Sequence, residues 1–119
     1  MTYIDGFVIP VPAGNRDAYR DAAAKAAPIF RQYGATRIVE CWGDDLPDGD
    51  VTDFRGAVKA EGGETVVFSW IVFRSRAHRD RVNAKVMEDP RLADMMEPED
   101  APFDAKRMIY GGFQIAVKA

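Results

Sequence analysis

The sequence holds one cysteine, Cys41, and one histidine, His78. A single cysteine excludes an internal disulfide and fits a reducing compartment. A single histidine excludes a His-rich metal site. The chain also lacks a run of roughly 20 apolar residues, so no membrane-spanning helix is expected. Residues 1–6 carry neither a basic n-region nor a long apolar core, so no secretory signal is expected and a cytoplasmic location is. Positive charge is also in short supply. Sixteen Lys and Arg face nineteen Asp and Glu, a net charge of −3. An acidic balance opposes nucleic acid as a partner, because counterion release needs a basic surface. No G-x-G-x-x-G and no G-K-[ST] occurs, so no phosphate loop and no cofactor is called for.

What is present is ordinary globular material. Apolar residues make up 47% and charged residues 29% of the 119. That length predicts a single domain spanning residues 1–119, which would bury about 65% of its unfolded surface.

A strand–helix–strand pattern occurs twice. The first copy is Tyr3–Val11, Asn15–Tyr33 and Ala35–Gly43. The second is Thr65–Phe73, Ser75–Asp89 and Met108–Val117. Two such units predict a ferredoxin-like split βαβ sandwich of class α+β, a four-stranded antiparallel sheet with two helices on one face. Asn15 reads as the N-cap of the first helix and Gly34 as its C′ residue. Tyr19, Ala22, Ala23, Ala26, Ile29, Phe30 and Tyr33 share one face of that helix, and Pro28 should kink its last turn. Thr65–Phe73 is apolar without alternation, which places it at the sheet centre. The sheet face left without helices is not polar either. A second copy of the chain is the simplest cover, so a homodimer is expected.

The connection from Asp44 to Glu64 is long and acidic. Thr52 is a candidate cap for a short helix there, with an extra strand as the alternative. As an EF-hand loop it fails, because Leu46 and Arg55 stand where carboxylates are needed, and no metal site is expected. Gly111-Gly112 within the last strand predicts a bulge or a close approach of backbone or ligand.

Arg79 and Asn83 fall on the inward face of the second main helix, beside Val82 and Val86. Polar groups aimed at a sheet need partners, since an unpaired one costs about 1–3 kcal/mol. They define a candidate ligand pocket, unless Arg79 snorkels to the edge and Asn83 bonds backbone. Glu40 and Trp42 share one strand face. A carboxylate beside an indole is a setting for a general acid or base, and Glu40 is the catalytic candidate. The alternative is an ion pair with Arg37, Lys106 or Arg107. Asp5 would couple to Glu40 if their strands were neighbours. His78 reads as a surface or cap residue, and Cys41 as a buried apolar one.

The segments Tyr3–Phe7, Val39–Asp45, Val67–Ile71 and Pro102–Phe113 resemble the YbaA-like family of uncharacterised bacterial proteins over nearly the whole chain. The resemblance implies a dimeric α+β barrel of ferredoxin-like protomers and no established activity. Three readings follow. One is a small-molecule site between the second main helix and the sheet, in a binding protein or a cofactor-independent enzyme. Arg79, Asn83, Glu40 and Arg107 would be its polar groups, and Trp42, Trp70, Phe103 and Tyr110 its walls, with 97–106 as a lid. Another is a non-catalytic dimeric module, structural or stress-associated, in which the same residues tie the fold together. RNA binding is a third reading, which the acidic balance opposes.

Overall fold

The computed structural model of the protein describes residues 1–95 and 101–119. The strands are β1 (Tyr3–Pro12), β2 (Arg37–Trp42), β3 (Glu64–Phe73) and β4 (Ile109–Gln114), and the helices are α1 (Arg16–Tyr33), α2 (Phe54–Ala57), α3 (Arg76–Glu88) and α4 (Pro90–Met95). The sheet runs β2-β3-β1-β4 with every neighbouring pair antiparallel. This is the expected split βαβ order, with the apolar β3 and β1 at the centre.

Side-chain alternation gives the sheet two different faces. Tyr3, Asp5, Phe7, Ile9 and Val11 of β1 look toward the helices, as do Val67, Ser69, Ile71 and Phe73 of β3. Ile38, Glu40 and Trp42 of β2 share that side. One core lies under α3, α4 and the end of α1, where Phe73, Val82 and Val86 are fully buried. A smaller one lies under the start of α1, around Ile9, Val11, Tyr19 and Val67.

Local chemistry sets the helix ends. Gly34 closes α1 at φ 123°, a conformation that favours glycine, and its N–H bonds back into the last turn. Ser75 caps α3 by accepting from His78 N at 3.0 Å. Asp89 breaks the chain between α3 and α4. It accepts from Tyr33 Oη at 2.7 Å and from Arg91 at 2.7 Å, and these bonds hold its carboxyl well below the usual range.

Several expectations are corrected. Asn15 makes no side-chain cap; its amide donates instead to the Pro102 carbonyl at 3.0 Å. Asp53, not Thr52, caps the short helix in the acidic connection, accepting from Gly56 N at 2.6 Å. The Asp53 carboxylate is a stronger acceptor for orphan N–H groups than a hydroxyl. The last strand stops at Gln114 rather than Val117, and Gly111 and Gly112 pair in register with Gly6 and Asp5, so there is no bulge. Gly112 marks a close approach instead. A Cβ there would run into the Tyr3 hydroxyl and Arg79.

The second sheet face carries Ile4, Val8, Phe68, Trp70, Val72, Ile109 and Phe113. It is not wholly bare, since α2 lays Phe54 on Phe68 with ring centroids 6.2 Å apart. Phe68, Ile109 and Phe113 nevertheless stay exposed.

Candidate functional site

The inward face of α1 is built from Ala22, Ala23 and Ala26, and alanines cannot fill the space above a sheet. A cavity of about 270 Å³ remains between α1, β1, β3 and α4. Phe7, Ile9, Phe30, Ile71, Leu92 and Phe103 give it apolar walls. Its polar lining comes from Tyr19, Glu40 and Ser69. A second hollow of about 540 Å³ follows the groove between α1 and β2 and adds Arg16, Arg20, Cys41 and Trp42. Tyr19, Ala23 and Glu40 belong to both hollows.

Glu40 is the polar centre. Tyr19 Oη donates to its Oε2 at 2.8 Å. Ser69 stands opposite Glu40 in the β2–β3 ladder, and its hydroxyl favours the carboxylate form. Glu40 is exposed to solvent on its groove side. Protein nevertheless surrounds the carboxyl closely enough that lost hydration outweighs the help of Tyr19 and Ser69 and holds it above the ordinary value. Burial, followed by the Glu40 charge and the shared hydrogen bond, pushes the Tyr19 phenol far up. Tyr19 is therefore a neutral donor at physiological pH. Its ring meets Phe103 edge-on at 5.7 Å and Trp42 at 6.3 Å, and the Arg16 guanidinium lies 5.8 Å from the Trp42 ring centre.

Arg79 and Asn83 do face inward, but into a separate cluster at the other end of the sheet. Asn83 Nδ2 donates to Asp5 Oδ2 at 3.0 Å, and Arg79 donates to the Tyr3 hydroxyl at 3.2 Å. Arg79 Nε stands 3.6 Å from Asp5 Oδ1 and 3.3 Å from Asp80 Oδ1, and among the described residues neither Arg79 Nε nor Asp5 Oδ1 has a partner in hydrogen-bond geometry. The two residues do not reach the cavity that holds Glu40. Asp5 and Glu40 are not neighbours either, because β3 separates their strands.

Arg107 lies elsewhere again. Its guanidinium grips both Glu64 oxygens at 2.7 Å, Asp104 at 2.9 Å and the Lys59 carbonyl at 3.0 Å. The ion pair considered for Glu40 with Arg37, Lys106 or Arg107 is replaced by the bond from Tyr19. Trp42 and Phe103 border the two hollows as walls. Tyr110 sits on the edge strand, exposed and stacked on Phe7 at 6.2 Å. Trp70 points to the opposite face of the sheet, paired with Val39, and cannot line a cavity under the helices. His78 is the cap-region residue expected, accepting from Arg74 N at 3.0 Å. Of the anticipated lid, 97–100 lies outside the described residues. Tyr19 and Ser69 were missed. The usable signal was a tyrosine on an otherwise alanine-rich inward face, since a buried phenol needs a partner.

Sheet order and helix placement define a ferredoxin-like α+β domain. Solved structures share it. A NIPSNAP domain protein from Burkholderia xenovorans aligns with a TM-score of 0.61 at 15% identity, over 98% of this chain and 97% of that one. A dimeric ferredoxin-like protein from an uncultured marine organism aligns at 0.60 and 10% identity, over the whole of both chains. The chain belongs to the family described as protein of unknown function (DUF1428), whose model matches residues 2–105. The Uncharacterized protein YbaA of Escherichia coli K12 is 61% identical over 114 residues, 96% of each chain. Its counterpart in Shigella flexneri matches to the same extent.

Proposed function

We propose that this protein is a homodimeric, cytoplasmic small-molecule-binding protein whose site is the cavity beneath α1. One observation carries the reading. An apolar cavity of about 270 Å³ has its polar groups gathered at one end, at Glu40, Tyr19 and Ser69. Apolar walls with a few convergent polar groups and a perturbed carboxyl are what a binding site requires. The volume suits a body of one or two rings. Glu40 is the proton-transfer group of any reaction run there, because its raised pKa brings acid and base forms closer to neutral pH. The dimer has separate support: exposed Phe68, Ile109 and Phe113 on the sheet face away from the helices.

The test is an NMR screen of one- and two-ring compounds against protein labelled at alanine methyls. Binding should shift Ala22, Ala23 and Ala26 together, and Ala26→Leu, which fills the cavity, should abolish it. A screen that moves none of these methyls sinks the assignment.

A non-catalytic module is the second reading, and Arg107 favours it for its own neighbourhood. A guanidinium spent on Glu64, Asp104 and Lys59 is holding loops together.

A further inference from the structure

We infer that the molecule taken up beneath α1 is a hydrophobic amine, held by its ammonium group against Glu40; this rests on the small-molecule reading above. The argument is one of missing charge. Among the described residues no lysine, arginine or histidine lines the cavity, and Glu40 is the one charged residue that does. Among the described residues Glu40 has no ion-pair partner within 4.0 Å. The cations of the adjoining groove face other groups. Arg16 lies against the Trp42 ring, and Arg20 pairs with Asp17 at 3.5 Å. Both sit on the outer side of the groove, exposed and open to screening by salt.

A carboxylate offers about four lone-pair positions. Tyr19 uses one of them. Solvent meets the remaining capacity along the groove, where Glu40 is exposed, and among the described residues no cationic side chain lining the cavity competes for it. An apolar body entering the cavity would strip water from this carboxylate, which is costly without a counter-ion, and a cation on the ligand relieves that cost where a neutral donor does so only in part. The walls suit the same ligand. Tyr19 and Phe103 line the cavity with ring centroids 5.7 Å apart, and such rings attract an ammonium through their negative faces. A ligand ending in carboxylate or phosphate would meet Glu40 as a like charge.

Three probes with one ring system separate the possibilities: 2-naphthylmethylamine, 2-naphthalenemethanol and 2-naphthoate, titrated calorimetrically at neutral pH. The amine should bind about tenfold more tightly than the alcohol, a gap of about 1.4 kcal/mol. Glu40→Gln should erase that gap while the alcohol still binds. Glu40→Asp, which keeps the charge, should retain a preference for the amine. Equal binding of amine and alcohol, tightest binding of naphthoate, or a preference that survives Glu40→Gln would overturn the amine assignment and leave the cavity reading intact. If none of the three binds, the cavity reading falls with it.

Discussion

The Tyr19 hydroxyl reaches Glu40 Oε2 at 2.8 Å across the gap between α1 and β2. One hydrogen bond thus joins a helix to an edge strand beside an apolar cavity. The bond favours the carboxylate form, against a larger push from burial the other way. Tyr19→Phe removes the donor and keeps the ring. The Glu40 pKa should therefore rise above its wild-type position, which a carboxyl-carbon NMR titration of both proteins would read. A fall, or no change, would mean that the phenol does not stabilise this carboxylate.

Stability should respond to pH with a definite sign. Glu40 titrates higher in the folded chain than its ordinary value of 4.5. The folded state then holds the proton more tightly than the unfolded one. The stabilisation from this group is complete below the unfolded pKa and is lost as pH rises through the folded value. Glu40→Gln removes the ionisation. Its melting temperature relative to wild type should be higher at neutral pH than at pH values below the ordinary carboxyl range. A purely structural Glu40 predicts the reverse, a variant that loses stability at neutral pH.

Asp5 is buried on the helix side of β1 and depends on Asn83 for its clearest hydrogen bond, at 3.0 Å. Asn83→Ala leaves a buried acceptor short of a donor, which costs about 1–3 kcal/mol. Urea denaturation should show that loss, while ligand binding beneath α1 stays at the wild-type level. Weakened binding with unchanged stability would place Asn83 in the ligand site instead.

Gly112 packs against the same cluster. A methyl group there would displace the Tyr3 hydroxyl and the Arg79 guanidinium. Gly112→Ala should therefore lower stability by about 1–3 kcal/mol through overpacking. Combined with Tyr3→Phe, which removes one of the colliding atoms, the loss should shrink. Two fully additive losses would show that the collision is not the cause.

Much of this architecture was legible because it follows from periodicity. The apolar run of β3 announced a central strand. Alternation in β2 set Glu40 and Trp42 on one face, and helical spacing turned Arg79 and Asn83 inward. Contacts between distant segments were not legible. Nothing local in Arg107 says that it will clamp Glu64, 43 positions away in sequence. β3 does not alternate, so its pattern could not say that Trp70 faces away from Glu40. The helix that covers the cavity was also misassigned. Polar residues on α3 point inward as expected, but they turn to Tyr3 and Asp5 at the other end of the sheet. The space lies under α1, where alanines leave room.

The last prediction concerns the uncovered sheet face. Phe68 is 45% and Phe113 59% exposed, and both stand on the side away from the helices. Apolar side chains gathered on one sheet face are a poor surface to leave in water. A second copy docked face to face would cover them, and a stable contact needs about 800 Å² from each partner. Phe68→Lys with Phe113→Lys adds charge where each protomer already has solvent, so the protomer fold should survive. Sedimentation should then report half the wild-type mass with an unchanged far-ultraviolet circular dichroism spectrum. A variant that keeps the wild-type mass would place the subunit contact elsewhere, with the free edge of β4 and its exposed Tyr110 as the next surface to test.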